Sequence, residues 1–259
     1  MRFLSVCTLL FALFACSKPP ESNTLTVGTI SGPESELVEV AQKVALERYG
    51  ITVKIVEFND YNLPNEALQD GSLDANIYQH LPYLNAAKEA HGYDLEVIGK
   101  TFVYPTGLYS IKFHSLKQLP KEATIALPND PSNEARALLL LKKAGLITLK
   151  NTTHATLSDI ASNPKKLRFK ELDAAQLPRI LTDVDAAVIN TTFAMPAGLR
   201  PSRDALFVEG KDSPYANLVV IRRNSDKKEQ LGLLVKALNS QEVKDKAKEL
   251  FGDAAIPAW

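Results

Sequence analysis

The chain has 259 residues, with 30 basic and 30 acidic side chains and a formal charge of zero. Hydrophobic residues make up 45% and charged residues 23%, a globular composition that argues against disorder and coiled coil. The balanced charge offers no electrostatic footprint for nucleic acid. Outside the first 15 residues no apolar run approaches the roughly 20 needed for a membrane span. The length suits one large domain or two of middling size, with ample material for a core.

The N-terminus opens Met1-Arg2-Phe3-Leu4 and continues through a short apolar stretch to Ala15. One positive charge before such a stretch reads as a secretory signal over residues 1–15. Leu13-Phe14-Ala15-Cys16 resembles the bacterial lipobox, where the signal is cut before a cysteine that becomes lipidated. The other reading is an ordinary signal with Cys16 as a leftover thiol. Cys7 lies inside the apolar stretch and would leave with it, so the mature chain keeps Cys16 alone and cannot form an internal disulfide. A single cysteine at the new N-terminus is best explained as an anchor bearing more than one acyl chain, enough for stable attachment. Residues 16–23, polar and Pro-rich, then form a tether. The protein is expected to be exported and held on the periplasmic or surface face of a bacterial membrane.

Leu25 to Ile30 is β-rich and alternating, a first strand. Pro33 suits a first helical position, apolar residues recur at Leu37, Val40, Ala41 and Val44, and Gly50 stops the helix. Ile51 to Phe58 is a second strand and Pro64 to Gln69 a short helix. Ala75 to Tyr78 is apolar and short. Leu81 to Ala90 is a helix stopped by Gly92. Leu95 to Ile98 and Thr101 to Phe113 read as strands, the second interrupted at Pro105-Thr106-Gly107.

A new unit starts near Leu116. Thr124 to Leu127 is a strand; Asp130-Pro131 is an N-cap and first helical residue. Ala135 to Lys143 is a helix, with Lys142 and Lys143 suiting its C-terminal dipole and Gly145 ending it. Leu167 to Leu172 is a strand, Ala174 to Leu181 a helix, Ala186 to Ile189 and Ala216 to Arg222 strands. Asp226 to Leu238 and Gln241 to Phe251 are closing helices. Strands alternating with helices predict an α/β fold with a mostly parallel sheet covered on both faces. The restart near residue 116 predicts two lobes.

The chain has no G-x-S-x-G, H-E-x-x-H or Walker A loop. The four histidines His80, His91, His114 and His154 fit no local metal-ligand spacing. No cofactor, metal or catalytic activity is therefore expected.

Four segments are denser in polar and aromatic residues than folding requires. In Asn76-Ile77-Tyr78-Gln79-His80-Leu81-Pro82-Tyr83, Pro82 sits in a helical first turn and places His80 at its edge, with Tyr78 and Tyr83 spaced to flank one pocket. From spacing alone, a cap histidine with two half-buried tyrosines is the preferred reading. In Pro128-Asn129-Asp130-Pro131-Ser132-Asn133-Glu134-Ala135-Arg136, a strand end leads into a helix start, where open α/β sheets bind ligands. Arg136 then grips a carboxylate with its planar fork, or is a surface arginine. Asn190 ends a buried strand and offers both donor and acceptor, as a zwitterion needs, or serves as a turn residue. Asn217 opens an apolar strand, and an edge-strand asparagine is its plain alternative.

These segments, with Gly99-Lys100-Thr101-Phe102-Val103-Tyr104-Pro105, Ala174-Ala175-Gln176-Leu177-Pro178-Arg179 and Val184-Asp185-Ala186-Ala187-Val188-Ile189-Asn190, resemble the methionine-binding lipoproteins of ABC importers, the NlpA/MetQ family. The resemblance runs from Leu25 to Trp259. It implies a two-lobed periplasmic-binding-protein fold (type II-like) with two chain crossings, placed near Tyr109–Lys112 and Lys211–Tyr215. Lobe 1 is then 24–110 with 212–259, and lobe 2 is 111–211. It also implies roles. Arg136 matches the arginine that takes the amino acid's carboxylate, and Asn190 and Asn217 match asparagines that hold its backbone. Tyr78, His80 and Tyr83 match the aromatic segment beside its side chain, with Tyr78 where many relatives carry Phe. Tyr104 is a further wall and Asn133 a polar contact. The implied ligand is L-methionine or a close derivative. The implied partners are a permease and an ATPase, with the protein a monomer. A Met-containing dipeptide, D-methionine or another apolar amino acid are alternatives, as are an enzyme or an adhesin on the same fold.

Overall fold

The structure, a computed structural model, describes residues 23–151, 153–210 and 213–259. The expected signal, Cys16 and residues 17–22 of the tether lie outside the described residues.

Two sheets organise the described residues. The first has six strands in the order Ile256–Pro257, Leu95–Val103, Ala216–Arg222, Ala75–His80, Thr24–Ile30, Thr52–Phe58. The second has five, in the order Ala205–Val208, Gly107–Tyr109, Ala186–Ile189, Thr124–Pro128, Arg168–Leu172. A two-stranded ribbon, Thr148–Leu149 with Ile160–Ser162, flanks the second.

The period-2 alternation of each strand explains why helices cover both faces. Val219 and Ile221 point into one core with Leu37, Val38, Ala41, Leu231, Leu234 and Val243, from the helices Pro33–Tyr49, Lys228–Leu238 and Gln241–Phe251. Leu218 and Val220 point to the opposite face, against Leu68 and Leu84 of the helices Leu63–Gln69 and Leu81–His91. In the second sheet Ile125, Leu127, Ala186 and Val188 pack under Leu138 and Leu141 of the helix Pro131–Lys143. Ala126, Ala187 and Ile189 pack against Leu177 and Leu181 on the other face.

Local signals set the helix ends. Gly50 follows Tyr49 at φ 66° and Gly92 follows His91 at φ 69°, left-handed positions that suit glycine at a helix end. The Asp130 side chain accepts from the Asn133 backbone N–H at 2.9 Å and fixes the start of Pro131–Lys143.

Three expectations need correction. The sheets are mixed rather than mostly parallel. Thr24–Ile30 is parallel to both neighbours and Thr124–Pro128 to both of its own, but the strands nearest the crossings are antiparallel. The cause is topological: the returning strand Ala216–Arg222 inserts antiparallel between Ala75–His80 and Leu95–Val103, and Gly107–Tyr109, the first strand to enter the second sheet, inserts antiparallel between Ala186–Ile189 and Ala205–Val208. Leu95 to Val103 is one continuous strand, and Ser110–Phe113 is not strand. Finally, the chain changes sheets at Tyr104-Pro105-Thr106, ahead of the expected Tyr109–Lys112, because Gly107–Tyr109 already pairs with Ala186–Ile189 and Ala205–Val208. The return passage falls between Val208 and Ala216, and Lys211 and Asp212 of it lie outside the described residues.

Candidate ligand-binding site

The strands Ala75–His80, Thr124–Pro128 and Ala186–Ile189 bring their C-terminal ends to the junction of the two lobes. A small cavity lies there, lined by Tyr78, His80, Tyr83, Tyr104, Asn133, Arg136, Asn190 and Asn217. All eight residues singled out in the sequence therefore meet in one place. Tyr61, Gln79, Thr191 and Thr192 complete the lining.

A polar relay crosses the cleft. The Asn133 side-chain N–H donates to both Asp130 carboxylate oxygens, at 3.1 and 2.9 Å. That orientation leaves Asn133 Oδ1 to accept from Asn190 Nδ2 of the same lobe at 2.8 Å and to lie 3.3 Å from Nε2 of His80, across the cleft in the other lobe. His80 Nδ1 accepts from the Tyr83 backbone N–H at 3.3 Å, so the network assigns the ring proton to Nε2. Burial, followed by the positive charge of Arg136, pushes the His80 pKa down to about 3. The ring is neutral at physiological pH. With Nδ2 committed to Asn133, Asn190 Oδ1 is buried and has no hydrogen-bond partner among the described residues. An unanswered buried acceptor costs about 1–3 kcal/mol, so this oxygen calls for a donor in the cavity.

Arg136 is buried, and its plane is fixed on several sides. Its Nε lies 3.2 Å from each Glu209 carboxylate oxygen, and Nη2 donates to Glu209 as well as to the Tyr104 carbonyl at 2.9 Å. Its guanidinium carbon sits 4.3 Å from the centre of the Tyr215 ring. The sequence reading assigned the planar fork to a ligand carboxylate. Here the Nε–Nη2 edge is taken by Glu209, and Nη1 alone makes no hydrogen bond among the described residues. The reason is charge: a guanidinium with 4% of its side chain exposed needs a counter-ion of its own.

Aromatic rings wall the opposite side. Tyr61 lies 5.9 Å from both Tyr78 and Tyr83, and Tyr78 lies 5.8 Å from Tyr83, centre to centre. Tyr61 also meets Phe193 of the second lobe at 4.8 Å. The Tyr83 hydroxyl donates to the Tyr61 carbonyl at 2.8 Å, which holds the Tyr61 loop against the helix Leu81–His91. Beneath them, the buried amides of Asn65, Asn76 and Gln79 bond to one another and tie the helix Leu63–Gln69 to the strand that carries Tyr78 and His80. Below the cavity, Glu34 Oε2 accepts from Asn217 Nδ2 at 3.1 Å and Oε1 accepts from the Thr192 hydroxyl of the second lobe. Burial raises the Glu34 pKa to about 7.

Sequence reasoning missed Tyr61, Phe193, Glu209 and Glu34. Tyr61 had a usable signal, since Asn59-Asp60-Tyr61-Asn62 directly follows a strand end. Glu34 reads as an ordinary acidic residue in a helical first turn, and Glu209 and Phe193 have no local pattern.

Two α/β lobes joined by two crossings, with a buried polar and aromatic cavity between them, define a two-lobed solute-binding protein with the fold of periplasmic substrate-binding proteins. The chain belongs to the NlpA lipoprotein family, whose sequence profile matches residues 25–259. It is similar to the D-methionine-binding lipoprotein MetQ of Escherichia coli K12, at 47% identity over 96% of this chain and 93% of that one. Among solved structures, an ABC transporter periplasmic substrate-binding protein from Coxiella burnetii is 62% identical, with a TM-score of 0.88 over 90% of this chain and 100% of that one. A nutrient-binding protein from Burkholderia cenocepacia, solved bound to methionine, is 51% identical, with a TM-score of 0.88 over 91% and 100% of the two chains.

Proposed function

We propose that this protein is a solute-binding protein that captures L-methionine in the interlobe cleft and delivers it to an ABC importer. The observation that carries the reading is the unpartnered Asn190 Oδ1, which shares one cavity with the free Nη1 of Arg136 and the rings of Tyr61, Tyr78 and Tyr83. An amide oxygen answers an ammonium, a guanidinium answers a carboxylate, and rings enclose an apolar tail. The methionine-bound relative from Burkholderia cenocepacia supports the choice of amino acid.

Magnitudes agree. Burying a methionine side chain contributes roughly 1.5–3 kcal/mol, and thioether–aromatic contact adds up to about 1.5 kcal/mol. Hydrogen bonds to each charged end contribute roughly 1.5–3 kcal/mol. After ordering and closure costs, a Kd on the order of 1 μM or tighter follows, about −8 kcal/mol. Capture is lobe closure and delivery is reopening on the transporter. Arg136, Asn190 and Asn217 hold the amino acid, while Tyr78, His80, Tyr83 and Tyr104 shape its surroundings and Asn133 orients Asn190. The protein works as a monomer with a permease and an ATPase, does no chemistry on its ligand, and is anchored through lipidated Cys16.

D-Methionine is the second reading, favoured by the name of the Escherichia coli relative. Thermal-shift screening of unliganded, refolded protein against both enantiomers, all amino acids and methionine dipeptides tests the choice. L-Methionine should give the largest stabilisation. A larger shift with another ligand reassigns the cargo.

A further inference from the structure

Glu34 is 5% exposed and forms no ion pair among the described residues. It joins both lobes, accepting from Asn217 on one side and Thr192 on the other. A buried carboxyl without a cation is costly unless it stays protonated or a cation arrives. The cavity's own cation is already spoken for, because Glu209 neutralises Arg136. A zwitterion adds no net charge, and its ammonium would face only neutral amide oxygens unless a carboxylate stands behind them.

We propose that Glu34 is the counter-charge to the ligand's ammonium, acting through Asn217, and that it releases a proton to solvent when the ligand is captured. The proposal rests on the amino-acid reading above. Asn217 Nδ2 is held by Glu34, and Asn217 Oδ1 makes no hydrogen bond among the described residues. Glu34 thus sets which end of that amide is offered to a donor. It is a positioning residue that also supplies charge. On capture the carboxyl O–H bond breaks, the proton passes to buffer, and the carboxylate and ammonium compensate each other.

Among the described residues, Tyr61 and Tyr104 are the titratable groups that feel the charge of Glu34. The Tyr61 and Tyr104 phenols are pushed up, first by burial and then by Glu34 itself. Asp130 and Arg136 act on Tyr61 with opposite signs. Burial holds His80 neutral. On the helix that carries Glu34, Glu36 pairs outward with Lys246 at 3.1 Å. Burial places Glu34 itself at about 7, and a nearby cation moves a carboxyl down. Capture therefore releases protons, and affinity rises with pH through the neutral range. Each unit of downward shift corresponds to about a tenfold gain in affinity above both values.

The test is calorimetric titration of refolded protein with L-methionine in two buffers of different ionisation enthalpy, at about pH 6.5, where release is large. The heats should differ by an amount corresponding to release of a substantial fraction of one proton per ligand. Affinity should rise at least about tenfold between roughly pH 5.5 and 8. Glu34→Gln should bind with equal heat in both buffers and with a flat pH profile. Wild-type binding without proton exchange overturns the proposal even if the variant does not fold, and so does undiminished release in Glu34→Gln. Absence of any L-methionine binding in the wild type is a separate result, which overturns the L-methionine reading and this proposal with it.

Discussion

Glu209 occupies the Nε–Nη2 edge of Arg136, and both side chains are more than nine-tenths buried. The guanidinium is therefore neutralised and oriented before any ligand carboxylate reaches it, leaving Nη1 as its open corner. A pre-oriented donor loses little freedom on binding, which favours affinity.

Two effects of Arg136 can be separated. Arg136→Ala should weaken L-methionine binding at least tenfold, about 1.4 kcal/mol or more. It should also lower thermal stability, because it strands Glu209, at a cost of about 3–5 kcal/mol. Pairing Arg136→Met with Glu209→Gln should restore much of the melting temperature without restoring affinity. Calorimetry and thermal melts on the three proteins decide the matter.

Asn190 and Asn217 enter the cavity from opposite lobes. Asn190→Ala and Asn217→Ala should each weaken binding at least tenfold, since a hydrogen bond to a charged group contributes roughly 1.5–3 kcal/mol. Unchanged affinity in both, measured by calorimetry, would count against the assigned geometry.

The Tyr61–Phe193 contact at 4.8 Å closes the cleft from both sides. A ring pair contributes about 0.5–1.5 kcal/mol beyond its buried area. Phe193→Ala should therefore speed ligand release several-fold while changing the association rate little. Stopped-flow displacement would measure both rates.

His80 governs part of the acid response. Its folded pKa of about 3 lies below the usual 6.5, so between those values the unfolded chain binds a proton that the native protein does not. Stability should fall as pH drops through that window. Glu34 acts oppositely: raised to about 7, it favours the native state at low pH and costs stability as pH rises from 4.5 to 7. His80→Gln should flatten the acid loss of melting temperature below about pH 6.5. A profile identical to wild type would contradict the buried neutral ring.

Much of the fold was legible in the chain because its stops are local. Pro33 and Gly50, Pro82 and Gly92, and Asp130-Pro131 bound helices through backbone rules that need no tertiary context. The strand directions were not legible. Whether Ala216–Arg222 runs parallel or antiparallel depends on where the chain re-enters the lobe, and no residue within it carries that information. The short strands Ala205–Val208 and Ile256–Pro257 were missed because they exist only by pairing with Gly107–Tyr109 and Leu95–Val103. Residues on strand ends and helix starts, such as His80, Arg136 and Asn190, stood out by position. The resemblance to a family, rather than spacing, distinguished them from caps and surface residues. Phe193 gains meaning only when the second lobe folds against the first, and Glu209 only when it comes beside Arg136 within the second lobe.

The central claim is that one cavity between the lobes holds a free methionine by its two charged ends and its tail. Titration of refolded, ligand-free protein with L-methionine tests it most directly. One molecule should bind per chain with a Kd on the order of 1 μM or tighter. Absence of any binding heat with L-methionine, alongside a normal cooperative melt, would contradict it.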